Sequence, residues 1–317
     1  MTQPVALFLD KASVYPDDLD FSTLEHSADW QWFEQANISD IHHCLETAEV
    51  LVTNKVVIDE SVLQHCKHLE LICVAATGVN NIDLDAARQR GIKVCNVRAY
   101  ATSSVAQHVF SLILALNRKL LPYQKSLRAG NWSRSDFFCL FGDPISDLEN
   151  KMIGIIGYGE LGKAVANIAE AFGMHVLIAK RNADDDRKGR VELKQLLAEA
   201  DVVSLHCALS DQNYHLIDKA ELAMMKPGAI LINTARGGLI NEQALVDALH
   251  KNRIFAGLDV LEKEPPSIDQ TLINYSGDNL IVTPHIAWAS VESRQRLIDE
   301  LAANIQAYKQ GKERNLV

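Results

Sequence analysis

No apolar stretch in this 317-residue chain approaches the roughly 18 residues that a membrane-spanning helix needs. The longest candidate, Val109-Phe-Ser-Leu-Ile-Leu-Ala-Leu116, reads as a buried helix. The stretch from Met1 to Asp10 has neither the basic start nor the cleavage site of a secretory leader, so a cytoplasmic location is expected. The six cysteines include no Cys-x-x-Cys pair. Their surroundings are apolar strand-like segments (Cys73, Cys95, Cys207) or helical ones (Cys44, Cys66), which predicts buried free thiols rather than disulfides or zinc ligands. His65 and His68 have ligand-like spacing, but a solvated helix face accounts for them, and no metal is expected. Positive charge is also scarce. A net charge of −10 sets the chain against a nucleic-acid partner, whose phosphate backbone demands a basic surface. There is no short-period repeat. What the chain does have is enough hydrophobic residues, 48% of the total, to bury two cores of ordinary size.

Strand-like and helix-like segments alternate almost throughout, which predicts parallel sheets covered on both faces. In the first third, strands are expected at Val5–Leu9, Glu49–Thr53, Leu69–Ala75 and Lys93–Val97, with helices between. Asp83 is a natural N-cap for a helix over Leu84–Arg90, and Gly91 supplies its left-handed stop. One long apolar helix, about Ser103 to Leu120, bridges to the next part. Asn131 to Glu149 is the longest irregular segment. The second part predicts six strands, at Met152–Ile156, His175–Ala179, Asp201–His206, Ala229–Thr234, Phe255–Asp259 and Leu280–Thr283. Six parallel strands with crossover helices make a doubly wound dinucleotide fold, whose ligands sit beyond the C-terminal strand ends. The final helix, about Val291 to Tyr308, follows no strand of its own and is expected to return to the first domain.

Behind the first of those six strands, Gly157-Tyr-Gly-Glu-Leu-Gly162 places Gly157, Gly159 and Gly162 in a Gly-x-Gly-x-x-Gly pattern. The first two glycines let backbone approach a pyrophosphate at a helix N-terminus, and the third packs the helix on its strand. An acid is expected about twenty residues on, to bind ribose hydroxyls. It is missing. The next strand ends in Lys180-Arg181 instead.

Three further segments lie just past strand ends: Asn233-Thr-Ala-Arg236-Gly-Gly238, Asp259 to Glu264-Pro-Pro266, and Thr283-Pro-His285. They offer a guanidinium, a carboxylate and an imidazole on stiff turns. Arg236 suits a carboxylate with an adjacent carbonyl, held in a planar fork. His285 can pass a proton to an alkoxide, and Glu264 on its other ring nitrogen would fix the tautomer. Singly, each has a structural reading: a surface salt bridge, a solvated turn acid, a strand-end histidine. Together, behind a dinucleotide loop, they suit hydride transfer to a 2-keto acid.

With these motifs in this order, the chain resembles the D-isomer-specific 2-hydroxyacid dehydrogenase family across nearly its whole length. Ala75-Ala-Thr-Gly78-Val-Asn-Asn-Ile-Asp83, Asp136-Phe-Phe-Cys139 and Pro284-His-Ile-Ala-Trp-Ala-Ser290 are most similar to its glycerate dehydrogenase/hydroxypyruvate reductase branch. The resemblance implies two doubly wound parallel-sheet α/β domains with a cleft between. A flavodoxin-like substrate domain would comprise 1–99 plus 288–317, and a Rossmann NAD(P)-binding domain 100–287. It implies reduction of hydroxypyruvate or glyoxylate with NAD(P)H, reversible as D-glycerate dehydrogenase, by a homodimer paired through the helix near Ser103. Related readings are a dehydrogenase for pyruvate or a bulkier keto acid and, from another class, a non-catalytic dinucleotide-sensing co-repressor.

Residue by residue, the resemblance makes Arg236, Glu264 and His285 catalytic. It gives the substrate carboxylate to backbone N–H groups at Thr77-Gly78-Val79, a turn that is otherwise merely a tight bend. Asn54 and Lys55 face the same substrate, although a surface lysine is an equal reading. Cofactor contacts fall on Ser104, Val105, Gly157, Gly159, Glu160, Leu161, Gly162, His206, Cys207, Ala208, Asn213, Thr234, Ala235, Asp259 and Ala287. Asp259 would accept from the nicotinamide carboxamide, while Cys207 and Ala208 can also be read as filler. Two departures matter. Ala208 and Asn213 replace residues that are more often Pro and Thr on the cofactor rim. Lys180 stands where NAD-specific members have an acid, and with Arg181 it would attract a 2′-phosphate, which leans the cofactor toward NADPH, with NADH usable. A solvated basic pair, neutralised by Asp184-Asp-Asp186, is the plainer alternative.

Overall fold

The computed structural model describes residues 3–182 and 184–317. It divides into two compact units, one comprising the chain up to Ala101 together with Ala289–Val317, the other Thr102–Trp288.

The first unit is a five-stranded parallel sheet of β1 (Val5–Phe8), β2 (Asp29–Trp32), β3 (Val50–Thr53), β4 (Leu71–Val74) and β5 (Lys93–Cys95), in the order β2-β1-β3-β4-β5. Short helices connect them: α1 (Ser22–Glu25), α2 (His42–Leu45), α3 (Glu60–Leu63) and α4 (Leu84–Gln89). Strands β3 and β4 are buried at every residue, as a parallel sheet covered on both faces requires. Asp83 caps α4 as its position suggests, accepting from the Ala86 amide at 2.9 Å. Strand β2 was not expected. It is an edge strand whose residues alternate between exposed and half-buried, so it lacks the apolar run that marks the others.

The last helix of the chain belongs to this unit. Its Leu297, Ile298, Leu301, Ala302 and Ile305 are buried, and Arg294, 6% exposed, forks onto Asp18 at 2.6 and 2.7 Å. Asp10, buried at the end of β1, collects the backbone N–H groups of Asn54 and Lys55 at 2.8 and 2.6 Å. That carboxylate fixes the turn after β3.

The second unit opens with α5 (Thr102–Asn117) and α6 (Leu120–Arg128). The single helix expected from Ser103 to Leu120 is broken at Lys119, whose backbone is left-handed (φ 56). Seven strands follow: β6 (Met152–Ile156), β7 (His175–Ala179), β8 (Arg190–Val191), β9 (Val202–Leu205), β10 (Ile230–Asn233), β11 (Phe255–Leu258) and β12 (Leu280–Val282). Between them run α7 (Glu160–Ala171), α8 (Leu193–Glu199), α9 (Lys219–Met224) and α10 (Glu242–His250), and α11 (Val291–Lys309) is the last helix described above. The sheet order is β12-β11-β10-β9-β6-β7-β8, parallel throughout. The strand absent from the sequence reading is β8, two residues long. The order reverses direction between β6 and β9, and an open sheet places its ligand at such a switch point. No described helix is long and apolar enough to cross a membrane.

Candidate active site

The glycine loop follows β6 at the switch point, and its three glycines do different things. Gly157 has φ 96, and a Cβ there would lie 2.5 Å from the Cys207 amide nitrogen. A Cβ on Gly162 would meet the Gly157 carbonyl oxygen at 2.1 Å, so α7 packs on its strand at a distance only glycine allows. Gly159, by contrast, looks into open space with nothing within 4 Å of a built Cβ. It is also the N-cap of α7 and has no capping side chain, leaving first-turn N–H groups for an anion.

Across the switch point, β9 and β10 end in two orphaned polar atoms. The His206 Nδ1 and Thr234 Oγ1 are buried without a hydrogen-bond partner among the described residues. The other His206 nitrogen is fixed at 2.9 Å from the Ser204 hydroxyl. Burial holds the imidazole down to about 4, so it is neutral at physiological pH. Buried polar groups left unpaired in a protein are uncommon, and two on neighbouring strand ends fit a polar ligand that would pair them. Open space at Gly159, a free helix N-terminus and this orphan pair are consistent with a bound dinucleotide. Burial also raises the Cys207 thiol, so it is no thiolate nucleophile at neutral pH.

Three neighbouring strands, β10, β11 and β12, carry the reactive groups past their C-terminal ends. Arg236 is exposed and its Nη1 donates to the Ala235 carbonyl at 2.6 Å. It makes no ion pair among the described residues. Its turn is held by Asn233, whose Nδ2 donates to the Arg236 carbonyl at 2.8 Å. Gly237 brings that turn against the next loop: a Cβ there would fall 1.9 Å from the Leu261 carbonyl carbon. That loop bears Glu264. One Glu264 oxygen accepts from the Leu261 amide at 2.8 Å and the other lies 2.6 Å from His285 Nδ1. His285 and Glu264 are 31% and 34% exposed. His285 itself sits in the left-handed region at φ 56. The sequence-predicted carboxylate–imidazole pair is therefore in contact.

Asp259 is 1% exposed. Its Oδ1 accepts from the Thr283 hydroxyl at 2.6 Å and the Ile286 amide at 2.9 Å, its Oδ2 from the Ala287 amide at 2.8 Å. Its main-chain oxygen accepts from the His285 amide at 2.9 Å. A buried carboxylate needs such donors. Ser104 donates to the Ala287 carbonyl, and Val105 is buried beside it on α5.

The remaining candidates are spread more widely. Asn213 uses its amide on its own loop, accepting from the Ser210 amide at 2.7 Å and donating to the Ala208 carbonyl at 2.7 Å. Glu160 bonds the Thr102 hydroxyl, Leu161 is half-buried, and the Ala235 amide donates to Asn233. In the first unit, Asn54 is buried and donates to the Ser13 hydroxyl, while Lys55 is exposed. Thr77 bonds the Val97 carbonyl through its hydroxyl, and Gly78 and Val79 are half-buried. At the end of β7, Lys180 pairs with Glu192 at 2.7 Å, a partner that raises its pKa. The Asp185 carboxylate is occupied by Arg187, which forks onto it at 2.6 Å twice and holds it far below the usual carboxylate range. Arg181 stays exposed with no ion pair among the described residues, and the Arg190 guanidinium lies 4.9 Å over the Tyr158 ring inside the glycine loop.

Sequence reading missed Asp10, Glu192 and His108, whose Nε2 lies 2.9 Å from the Thr283 hydroxyl oxygen. The first two are ordinary acids with no local pattern. His108 stands four residues from Ser104 on a helix already expected, but nothing local ties it to Thr283.

A family model described as D-isomer specific 2-hydroxyacid dehydrogenase, NAD binding domain, matches residues 110–287. A glycerate dehydrogenase of Methylorubrum extorquens is 42% identical over 321 residues, spanning 100% of this chain and 99% of its own. A hydroxypyruvate reductase of Blautia hydrogenotrophica is 35% identical, with 98% of each chain covered. The solved structure of an acyclic imino acid reductase in complex with NADPH and D-Arg is similar at a TM-score of 0.86 and 31% identity, over 99% of each chain.

Proposed function

Because the chain belongs to the D-isomer-specific 2-hydroxyacid dehydrogenase family, an enzyme family with an NAD(P)-binding domain, we propose that it reduces hydroxypyruvate or glyoxylate to the D-2-hydroxy acid, reversibly as a D-glycerate dehydrogenase. The observation that carries this reading is the 2.6 Å contact between Glu264 and His285 Nδ1, with His285 past the end of the strand next but one to that of Arg236, which has no ion pair among the described residues. Arg236 holds the substrate carboxylate and polarises the adjacent carbonyl. His285, protonated on both nitrogens, gives its Nε2 proton to the carbonyl oxygen, and Glu264 accepts from Nδ1–H throughout. What is required of the bound dinucleotide is a hydride for the carbonyl carbon. Solvent then returns a proton to the half-exposed imidazole. Backbone N–H groups of Thr77, Gly78 and Val79, with Asn54 and Lys55, complete the carboxylate contacts in this reading.

Residues 157–162 would hold the pyrophosphate at the start of α7, His206 and Thr234 would meet polar atoms of the ligand, and Asp259 would take the carboxamide. For the cofactor we favour NADPH over NADH. The support is charge accounting: Glu192 neutralises Lys180, but Arg181 has no acidic partner among the described residues and remains for a 2′-phosphate. A homodimer is part of the same proposal, supported by Phe137, Phe138 and Phe141, which stand 75%, 92% and 88% exposed. The test is direct. Purified protein is mixed with hydroxypyruvate, glyoxylate or pyruvate and either reduced cofactor, and absorbance of the nicotinamide is followed. Fastest turnover on hydroxypyruvate or glyoxylate is the expected result, and none on any small 2-keto acid would overturn it.

A further inference from the structure

Helix α5 grips the loop that carries His285 at both ends. Ser104 and His108 are four residues apart and so share one helix face. The Ser104 hydroxyl donates to the Ala287 carbonyl at 2.6 Å, and His108 Nε2 lies 2.9 Å from Thr283 Oγ1. Thr283 and Ala287 bound a short turn with His285 at its centre. Thr283 has a single hydroxyl proton, and the Asp259 carboxylate at 2.6 Å can only accept it. The Thr283 oxygen is then the acceptor toward His108, which donates from Nε2–H. Asp259 in turn receives the amides of Ile286 and Ala287. The turn is thus enclosed by a continuous donor–acceptor chain running from α5 to a buried carboxylate.

The enclosure has work to do, because φ 56 at His285 is a conformation disfavoured for any residue with a side chain. Without the clamp, the turn relaxes and the imidazole leaves its line with the substrate. We propose that His108 and Thr283, with Ser104, are positioning residues for the acid/base: α5 serves as the template on which the His285 turn is set. The inference rests on the assignment of His285 as the proton donor.

The test uses the full-length enzyme with hydroxypyruvate and reduced cofactor. Thr283→Val keeps the shape of the side chain and removes the hydroxyl, Thr283→Ser restores the hydroxyl, and His108→Leu removes the partner on α5. Each is measured for kcat, KM, cofactor Kd and the isotope effect of 4-deuterated nicotinamide, with His285→Asn in parallel. A misplaced acid should lower kcat in Thr283→Val about 10- to 100-fold, raise the isotope effect on kcat and leave cofactor Kd within about twofold. Thr283→Ser should recover to within about threefold of the parent, and His108→Leu should follow Thr283→Val. A merely structural role would lower the melting temperature without moving the isotope effect. Parental kcat in Thr283→Val beside an inactive His285→Asn overturns the inference alone, as does a Thr283→Ser as slow as Thr283→Val. Full turnover in His285→Asn removes the proton-donor assignment and this inference with it. If Thr283→Val does not fold, His108→Leu, at a side chain 17% exposed, carries the same decision.

Discussion

Replacing Glu264 by Gln tests whether the carboxylate acts through its charge or only fills its place. Gln has the same length, and its carbonyl can go on accepting from the Leu261 amide as Glu264 does at 2.8 Å. That choice turns the NH2 group toward His285 Nδ1, where a carboxylate oxygen now sits at 2.6 Å. A donor facing Nδ1 favours the neutral ring and disfavours the doubly protonated one that must supply the proton. Hydrogen bonds to charged groups contribute about 1.5–3 kcal/mol, which at about 1.4 kcal/mol per tenfold corresponds to a loss of roughly 10- to 150-fold. Both side chains are about one-third exposed, so water screens the pair and the lower end of that range is expected, about 10- to 30-fold in kcat. The same exposure means the melting temperature should move by no more than about 2 °C. Cofactor Kd, read by quenching of protein fluorescence, should stay within about twofold because the proposed role of Glu264 is toward the imidazole and not toward the cofactor. Steady-state reduction of hydroxypyruvate gives kcat. A kcat equal to the parent's would refute the carboxylate–imidazole mechanism.

Three further outcomes are expected. Arg236→Lys keeps the charge but loses the planar fork, so KM for the keto acid should rise about 10- to 100-fold with cofactor Kd unchanged; normal saturation would contradict the assignment. Lys180→Asp places a carboxylate beside Glu192 at the end of β7 and should shift the NADH-to-NADPH preference at least about tenfold toward NADH, whereas an unmoved ratio reduces the basic pair to plain surface. His206 is held at about 4 against 6.5 for the free ring, so the unfolded chain takes up its proton first as pH falls. Its stabilising contribution is therefore complete above pH ~6.5 and lost progressively down to pH ~4, by about 1–3 kcal/mol. Melting at pH 7.5 and 4.5 should show a smaller loss for His206→Asn than for the parent, and equal losses would exclude this linkage.

Much of the architecture was legible because parallel strands buried on both faces write themselves as unbroken apolar runs. Strands β6, β7 and β10 lie where their runs place them, within a residue. The segments that escaped are those without a run: β2, with its exposed alternation at a sheet edge, and β8, only two residues long. The break at Lys119 was hidden because the apolar pattern continues into Leu120 and Leu121, and the left-handed backbone there is not encoded by a glycine. For the site, strand-end position and residue chemistry singled out Arg236, Glu264 and His285. Local pattern could not expose the bond from His108 to Thr283, since 175 residues separate them. Nor could it foresee that Glu192 would discharge Lys180 while Asp185 went to Arg187.

The first unit is assembled from two pieces of chain with the 187-residue second unit between them, and this has a consequence for biosynthesis. Strands β1 to β5 leave the ribosome early, but α11, which buries Leu297, Leu301 and Ile305, comes last. At 5–20 residues per second the delay is roughly 10–40 s, during which the second unit can form while the first waits with an apolar face uncovered. The earlier-made unit is therefore the later to finish. A nonsense mutation or proteolytic nick near residue 290 would spare the dinucleotide loop yet leave the opening hundred residues without their lid, and would show itself as aggregation rather than as a clean loss of turnover.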